Sequence, residues 1–122
     1  MSHIQYKLLQ TIVNYFIINP FFLAHTLLTP GIASSWDIVP KGYYRYFTVL
    51  NPNITQDLSF ILQPAYGDPD LFVSQITDTP SSKNYTWASR RGRNIVDAIT
   101  IETSDNKWDK NNNRFFLSVK FN

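Results

Sequence analysis

From Trp36 onward the chain is written as short apolar and aromatic runs, each halted by turn-forming residues. Leu58, Phe60 and Leu62 alternate with Asp57, Ser59, Ile61 and Gln63. Successive side chains of an extended strand point to opposite faces, so this period of two predicts a strand with one face in a core. The run Tyr43-Tyr44-Arg45-Tyr46-Phe47-Thr48-Val49-Leu50 stops at Asn51-Pro52-Asn53, and Asp70-Leu71-Phe72-Val73-Ser74-Gln75 follows the turn Pro64-Ala65-Tyr66-Gly67-Asp68-Pro69. Further on, Ile95, Asp97, Ile99 and Ile101 fall on one side of a run whose other side is Val96, Ala98 and Thr100. After a polar, turn-rich stretch at 104–113, Arg114-Phe115-Phe116-Leu117-Ser118-Val119-Lys120-Phe121 reads as a last strand. Short strands at this spacing, with no helical period between them, predict an all-β fold, an antiparallel sandwich or barrel.

A chain of 122 residues is long enough for one such domain and too short for two ordinary ones. Its nine Phe, seven Tyr and three Trp suit a pleated, half-buried surface. Eleven basic and nine acidic residues are spread along the chain, which gives no electrostatic case for a nucleic-acid partner. The basic cluster Arg90-Arg91-Gly92-Arg93 is either a solvated turn or a phosphate- or sulfate-binding loop. There are no cysteines, which excludes disulfides, thiol catalysis and thiolate metal sites without deciding the compartment. Two sequons, Asn53-Ile54-Thr55 and Asn84-Tyr85-Thr86, lie where exposed loops are expected. In a secretory route, Asn53 and Asn84 would both accept N-linked glycan. The expected location is extracellular, secreted or on the cell surface, with no membrane span.

Gly67-Asp68-Pro69-Asp70-Leu71-Phe72-Val73-Ser74 followed by Tyr85-Thr86-Trp87-Ala88-Ser89 resembles the "GDPDLYVS … Y.W.S" core of the bacterial pre-peptidase C-terminal (PPC) domain family and its eukaryotic extracellular relatives. Leu28-Thr29-Pro30-Gly31 and Val39-Pro40-Lys41-Gly42-Tyr43-Tyr44-Arg45-Tyr46-Phe47 resemble that family's opening. Ala98-Ile99-Thr100-Ile101 and Phe115-Phe116-Leu117-Ser118-Val119 resemble two of its later strands. The resemblance runs from about residue 28 to 122. It implies a secreted, jelly-roll-like antiparallel β-sandwich, an accessory module with no catalytic activity. Family members usually carry one further strand after the last one matched here, and they lack the residues at the front of this chain.

No residue pattern assembles a catalytic site. The two histidines, His3 and His25, stand in the leading segment, and no nucleophile elbow, His-Glu-x-x-His or phosphate-cradling glycine loop occurs. The chain is therefore expected not to be an enzyme. Asp68 and Asp70 are two residues apart on a turn leading into a strand, so they either cap that turn or converge on calcium. The resemblance allows calcium, since some relatives bind it; no other cofactor is expected. Trp87, which matches the family motif, is expected inside. Trp108, between Lys107 and Asp109 in a polar loop, is expected at the surface as a contact for a glycan or a neighbouring subunit.

The division expected is a leading segment at 1–34 and a sandwich at 35–122. The leader admits three readings. His3, Lys7, Gln10 and Asn14 form a polar stripe on a helix capped by Ser2 and ended by Asn19-Pro20. As a strand, Ile4, Tyr6 and Leu8 alternate with Gln5 and Lys7. As a signal peptide, it exits at Ala33-Ser34. A leader this apolar must be buried, and a sandwich short of its last strand offers an open edge. Joined, these point to a structural subunit of an extracellular glycoprotein filament. Its leader, through Ile4, Tyr6, Leu8, Ile12, Phe16, Ile18, Phe21 and Phe22, would complete the next copy's sheet head to tail in a homopolymer. The alternative is a secreted accessory module that binds polysaccharide or protein, a monomer whose leader folds back on its own domain.

Overall fold

The structure, a computed structural model, describes residues 3–9, 16–17, 26–30, 37–64, 68–90 and 97–121. Among the described residues eleven strands run in chain order: β1 (His3–Leu9), β2 (Phe16–Ile17), β3 (Thr26–Leu27), β4 (Thr29–Pro30), β5 (Asp37–Pro40), β6 (Tyr44–Leu50), β7 (Leu58–Pro64), β8 (Pro69–Ser74), β9 (Trp87–Ser89), β10 (Asp97–Ile101) and β11 (Arg114–Phe121). Two sheets face each other, one ordered β10-β7-β1-β5 and the other β3-β6-β11-β8-β9, with a small β2-β4 ladder beside them. Every pairing is antiparallel except the two-residue contact of β3 with β6. This is an all-β sandwich, one of the two folds the alternation admits and the one the family resemblance implies. Among the described residues no helix is long and apolar enough to cross a membrane.

The core is built by alternation. Leu58, Phe60 and Leu62 of β7 with Ile99 and Ile101 of β10 meet Phe47 and Val49 of β6, Leu71 and Val73 of β8, and Phe115, Leu117 and Val119 of β11. Phe115 is the hub, with its ring centroid 6.3 Å from Phe60 and 5.8 Å from both Trp87 and Trp108. Asp97 sits on the same buried face as Ile99 and Ile101, and its Oδ1 accepts a hydrogen bond from Ser89 Oγ at 2.8 Å. That contact ties β9 of one sheet to β10 of the other, and it gives one oxygen of a buried carboxylate a hydrogen-bond donor. At the start of β6, Gly42 has φ +84°, a conformation that disfavours any Cβ, and its N–H donates to Phe121 O at 2.8 Å.

The leader folds as a strand where it is described. β1 pairs with β5 from His3↔Pro40 to Tyr6↔Asp37, and with β7 from Tyr6↔Pro64 to Leu9↔Ile61. It therefore bridges two strands of its own chain, and the boundary at residue 34 separates elements that share one sheet. In the four-stranded sheet β1 lies between β7 and β5.

Trp108 requires a correction. Expected at the surface, it is 5% exposed and stacks edge-on against Phe115. The polar loop around it is pulled inward by Gln75, which is itself buried. Gln75 Nε2 donates to the carbonyls of Asp109 and Asn112, and Gln75 Oε1 accepts from Asp109 N–H. Asn112 Nδ2 in turn donates to Gln75 O. The polar residues of the loop satisfy one another, so the indole between them is free to turn into the core. Trp87, expected inside, lies half-buried against that core, and its Nε1 donates to Asp105 Oδ2 at 3.0 Å. This bond, the Lys107 backbone N–H and the Lys107 charge hold the Asp105 carboxyl below its ordinary range.

Candidate functional site

A pleated sheet that buries one face must present the other. In β6, β11 and β8 the positions facing away from the core mix polar residues with aromatic rings. Register places Tyr46 beside Ser118 and Phe72 in one row, and Tyr44 beside Lys120 and Asp70 in the next. The Tyr44 and Tyr46 rings stack with centroids 5.9 Å apart and planes 7° from parallel, and Tyr44 lies 6.4 Å from Phe72. Phe72 stands outside the core cluster, yet it is 0% exposed.

What covers Phe72 is the segment between β8 and β9, folded back over the sheet. Thr86 N–H donates to Val73 O at 2.9 Å, and Ser81 and Asn84 exchange backbone hydrogen bonds of 2.9 and 3.1 Å. Tyr85 then lies 5.6 Å from Phe72, and just beyond β9 the Arg90 guanidinium sits 5.0 Å from the Phe72 ring centre and 5.2 Å from that of Tyr85. Arg90 Nη2 donates to Ser82 O at 2.7 Å. Ser82 also meets Tyr44: its N–H donates to Tyr44 Oη at 3.1 Å, and Tyr44 Oη donates to Ser82 Oγ at 3.4 Å. Lys120 Nζ stands 5.5 Å from the Tyr44 ring centre.

The two tyrosines titrate in opposite directions. Burial, the largest influence on Tyr44, raises its phenol, but the Ser82 contacts and the Lys120 charge outweigh it and leave the group lowered. Tyr46 is raised, by burial first and then by Tyr44. Tyr85 remains 45% exposed and Tyr43, just before β6, 65% exposed. Aromatic faces, phenol hydroxyls and two cations suit a ligand carrying rings and polar groups.

Most of this surface escaped the sequence reading. Tyr44, Tyr46, Phe72, Tyr85 and Lys120 are spaced as outward strand or loop positions, which signals a face but not what covers it. Arg90 belongs to the basic cluster singled out above. Its role as a lid over two rings depends on the path of residues 79–90.

The other candidate residues are scattered. Asn53 is exposed after β6, where its Oδ1 accepts from Thr55 N–H at 2.9 Å and from Thr55 Oγ1 at 2.6 Å, closing the sequon into an Asx turn. Asn84 is exposed on the segment over the aromatic face. Asp70 is 8% exposed within β8, opposite Lys120, and Asp68 is half-buried just before that strand. Among the described residues no three carboxylate or imidazole side chains gather as a metal-ligand set, so calcium here would rest on these two carboxylates and carbonyl oxygens. Of the leader residues offered for assembly, Ile4, Tyr6 and Leu8 lie in β1 and Phe16 in β2, paired within the chain. Ile12, Ile18, Phe21 and Phe22 lie outside the described residues.

Fold and surface together define a β-sandwich domain with an aromatic, cationic outer face. The chain is similar to a UPF0669 protein of Nematostella vectensis, with 32% identity over 82 residues, a stretch that covers 67% of this chain and 48% of the relative. The aligned part thus spans about half the length of that relative. No protein-family profile matches the chain. No solved structure matches it.

Proposed function

We propose that this chain is a secreted, non-catalytic accessory domain that binds polysaccharide through the outer face of its five-stranded sheet. The observation that carries this reading is the ring-bearing surface of Tyr44, Tyr46 and Tyr85 outside the core, with Arg90 and Lys120 over the rings. Aromatic faces stack on pyranose rings at little entropic cost, because an aromatic side chain has few torsions to fix. Among the described residues this surface holds no histidine, and the chain has no cysteine.

Pairing of β1 inside its own sheet favours a monomeric module over head-to-tail donation of the leader, since a donated strand would first have to leave two partners. Affinity electrophoresis in gels containing polysaccharides tests the binding. Retardation of the wild type is expected, and Tyr85→Ala should weaken it about tenfold, the range for losing one stacked ring. A monomer retarded by none of the polysaccharides, or an oligomeric ladder in solution, would remove the basis of this reading.

The exposed sequons support the secretory route. Protein secreted from a eukaryotic host should lose two mass steps on N-glycosidase treatment, with one step absent in Asn53→Gln and the other in Asn84→Gln. Unmodified secreted protein would leave the glycoprotein reading without support.

A further inference from the structure

We infer that the ligand of this face is an anionic polysaccharide, its sulfate or uronate groups taken by Arg90 and Lys120 while its sugar rings meet the tyrosines. The inference rests on the polysaccharide reading above and narrows it. Both cations are held over ring faces, Arg90 above Phe72 and Tyr85 and Lys120 above Tyr44. A ring face attracts the charge without consuming in-plane N–H donors, so stacking orients a guanidinium and leaves its fork available. Arg90 gives Nη2 to Ser82 O, one bond from a group with five donors, and it is exposed.

That bond also fixes the fork's direction, and a prepositioned guanidinium loses less freedom when an oxyanion arrives. Lys83, exposed in the turn between Ser81 and Asn84, adds a third positive charge to the segment over the sheet. The carboxylate in the same two rows is Asp70, which is buried opposite Lys120. A neutral sugar would gain from the rings and hydroxyls but bring no charge to Arg90, Lys120 and Lys83. A sulfate or carboxylate answers them.

The test uses dextran, dextran sulfate and hyaluronan with the full chain in affinity electrophoresis. Dextran and dextran sulfate share a backbone and differ in sulfate, so their comparison isolates the charge. Dextran sulfate should retard the protein at least tenfold more strongly than dextran, and hyaluronan shows whether a carboxylate suffices. Arg90→Ala should lose about tenfold of the dextran sulfate affinity, Arg90→Lys should lose less, and Lys107→Ala, at an exposed position of the 102–113 loop, should change it little. Thermal melts confirm that each variant is folded.

Equal retardation by dextran and dextran sulfate overturns the anionic class while leaving polysaccharide binding intact. An Arg90→Ala loss no larger than that of Lys107→Ala reduces the effect to bulk charge and overturns the assignment to this face. Binding to none of the three sinks both readings together.

Discussion

Removing residues 1–9 is expected to abolish the cooperative thermal transition of this domain or lower its midpoint by roughly 15 °C or more. β1 makes register pairs with β5 at residues 3–6 and with β7 at residues 6–9, and β5 has no other sheet neighbour among the described residues. At about 1 kcal/mol net per backbone hydrogen bond, losing these ladders costs on the order of several kcal/mol, much of the roughly 5–15 kcal/mol that holds a typical domain. The stripped β7 becomes an unpaired edge and a template for aggregation. A synthetic peptide of residues 1–9, added in excess, should refill the position and restore the transition. A truncated protein that melts like the wild type would show that the sheet does not depend on β1. Truncated protein that stays folded while losing self-association would instead return the leader to the role of a donor between subunits.

Phe115→Ala should destabilise the domain by about 3–5 kcal/mol, the range for emptying an aromatic site in a close-packed core. The residue is fully buried and faces Phe60, Trp87 and Trp108, so truncation removes three ring contacts at once and leaves a cavity between the two sheets. Denaturant unfolding gives the number, and a red shift of tryptophan emission in the native state reports the loosened indoles. Phe115→Leu, which refills part of the volume, should recover a substantial share. A loss below about 1 kcal/mol would contradict the central position of this ring, since partial collapse seldom relieves so large a cavity.

The alternation of Leu58, Phe60 and Leu62, and of Asp97, Ile99 and Ile101, was legible because a strand's two faces are fixed by backbone geometry alone. Asp97 was even legible on the buried side, although nothing local named Ser89 as its partner. Trp108 was misjudged for the converse reason. Its sequence neighbours are polar, but a loop's burial depends on what it is tied to, and Gln75 stands 34 residues away from Asp109. The leader stayed ambiguous because helix and strand patterns overlap in a short apolar run, and only β5 and β7 as partners select the strand.

Sequence by itself determined that this protein is built of antiparallel strands, that Leu58, Phe60 and Leu62 turn inward, and that its sequons lie in exposed turns. These follow from periods of two and from turn chemistry, both properties of a few adjacent residues. Tertiary structure alone decided that the leader closes its own sheet, that Trp108 belongs to the core, and that Tyr44, Tyr46, Phe72, Tyr85, Arg90 and Lys120 share one surface. Those outcomes depend on contacts between residues tens of positions apart, whose free energy appears only once the chain has closed on itself.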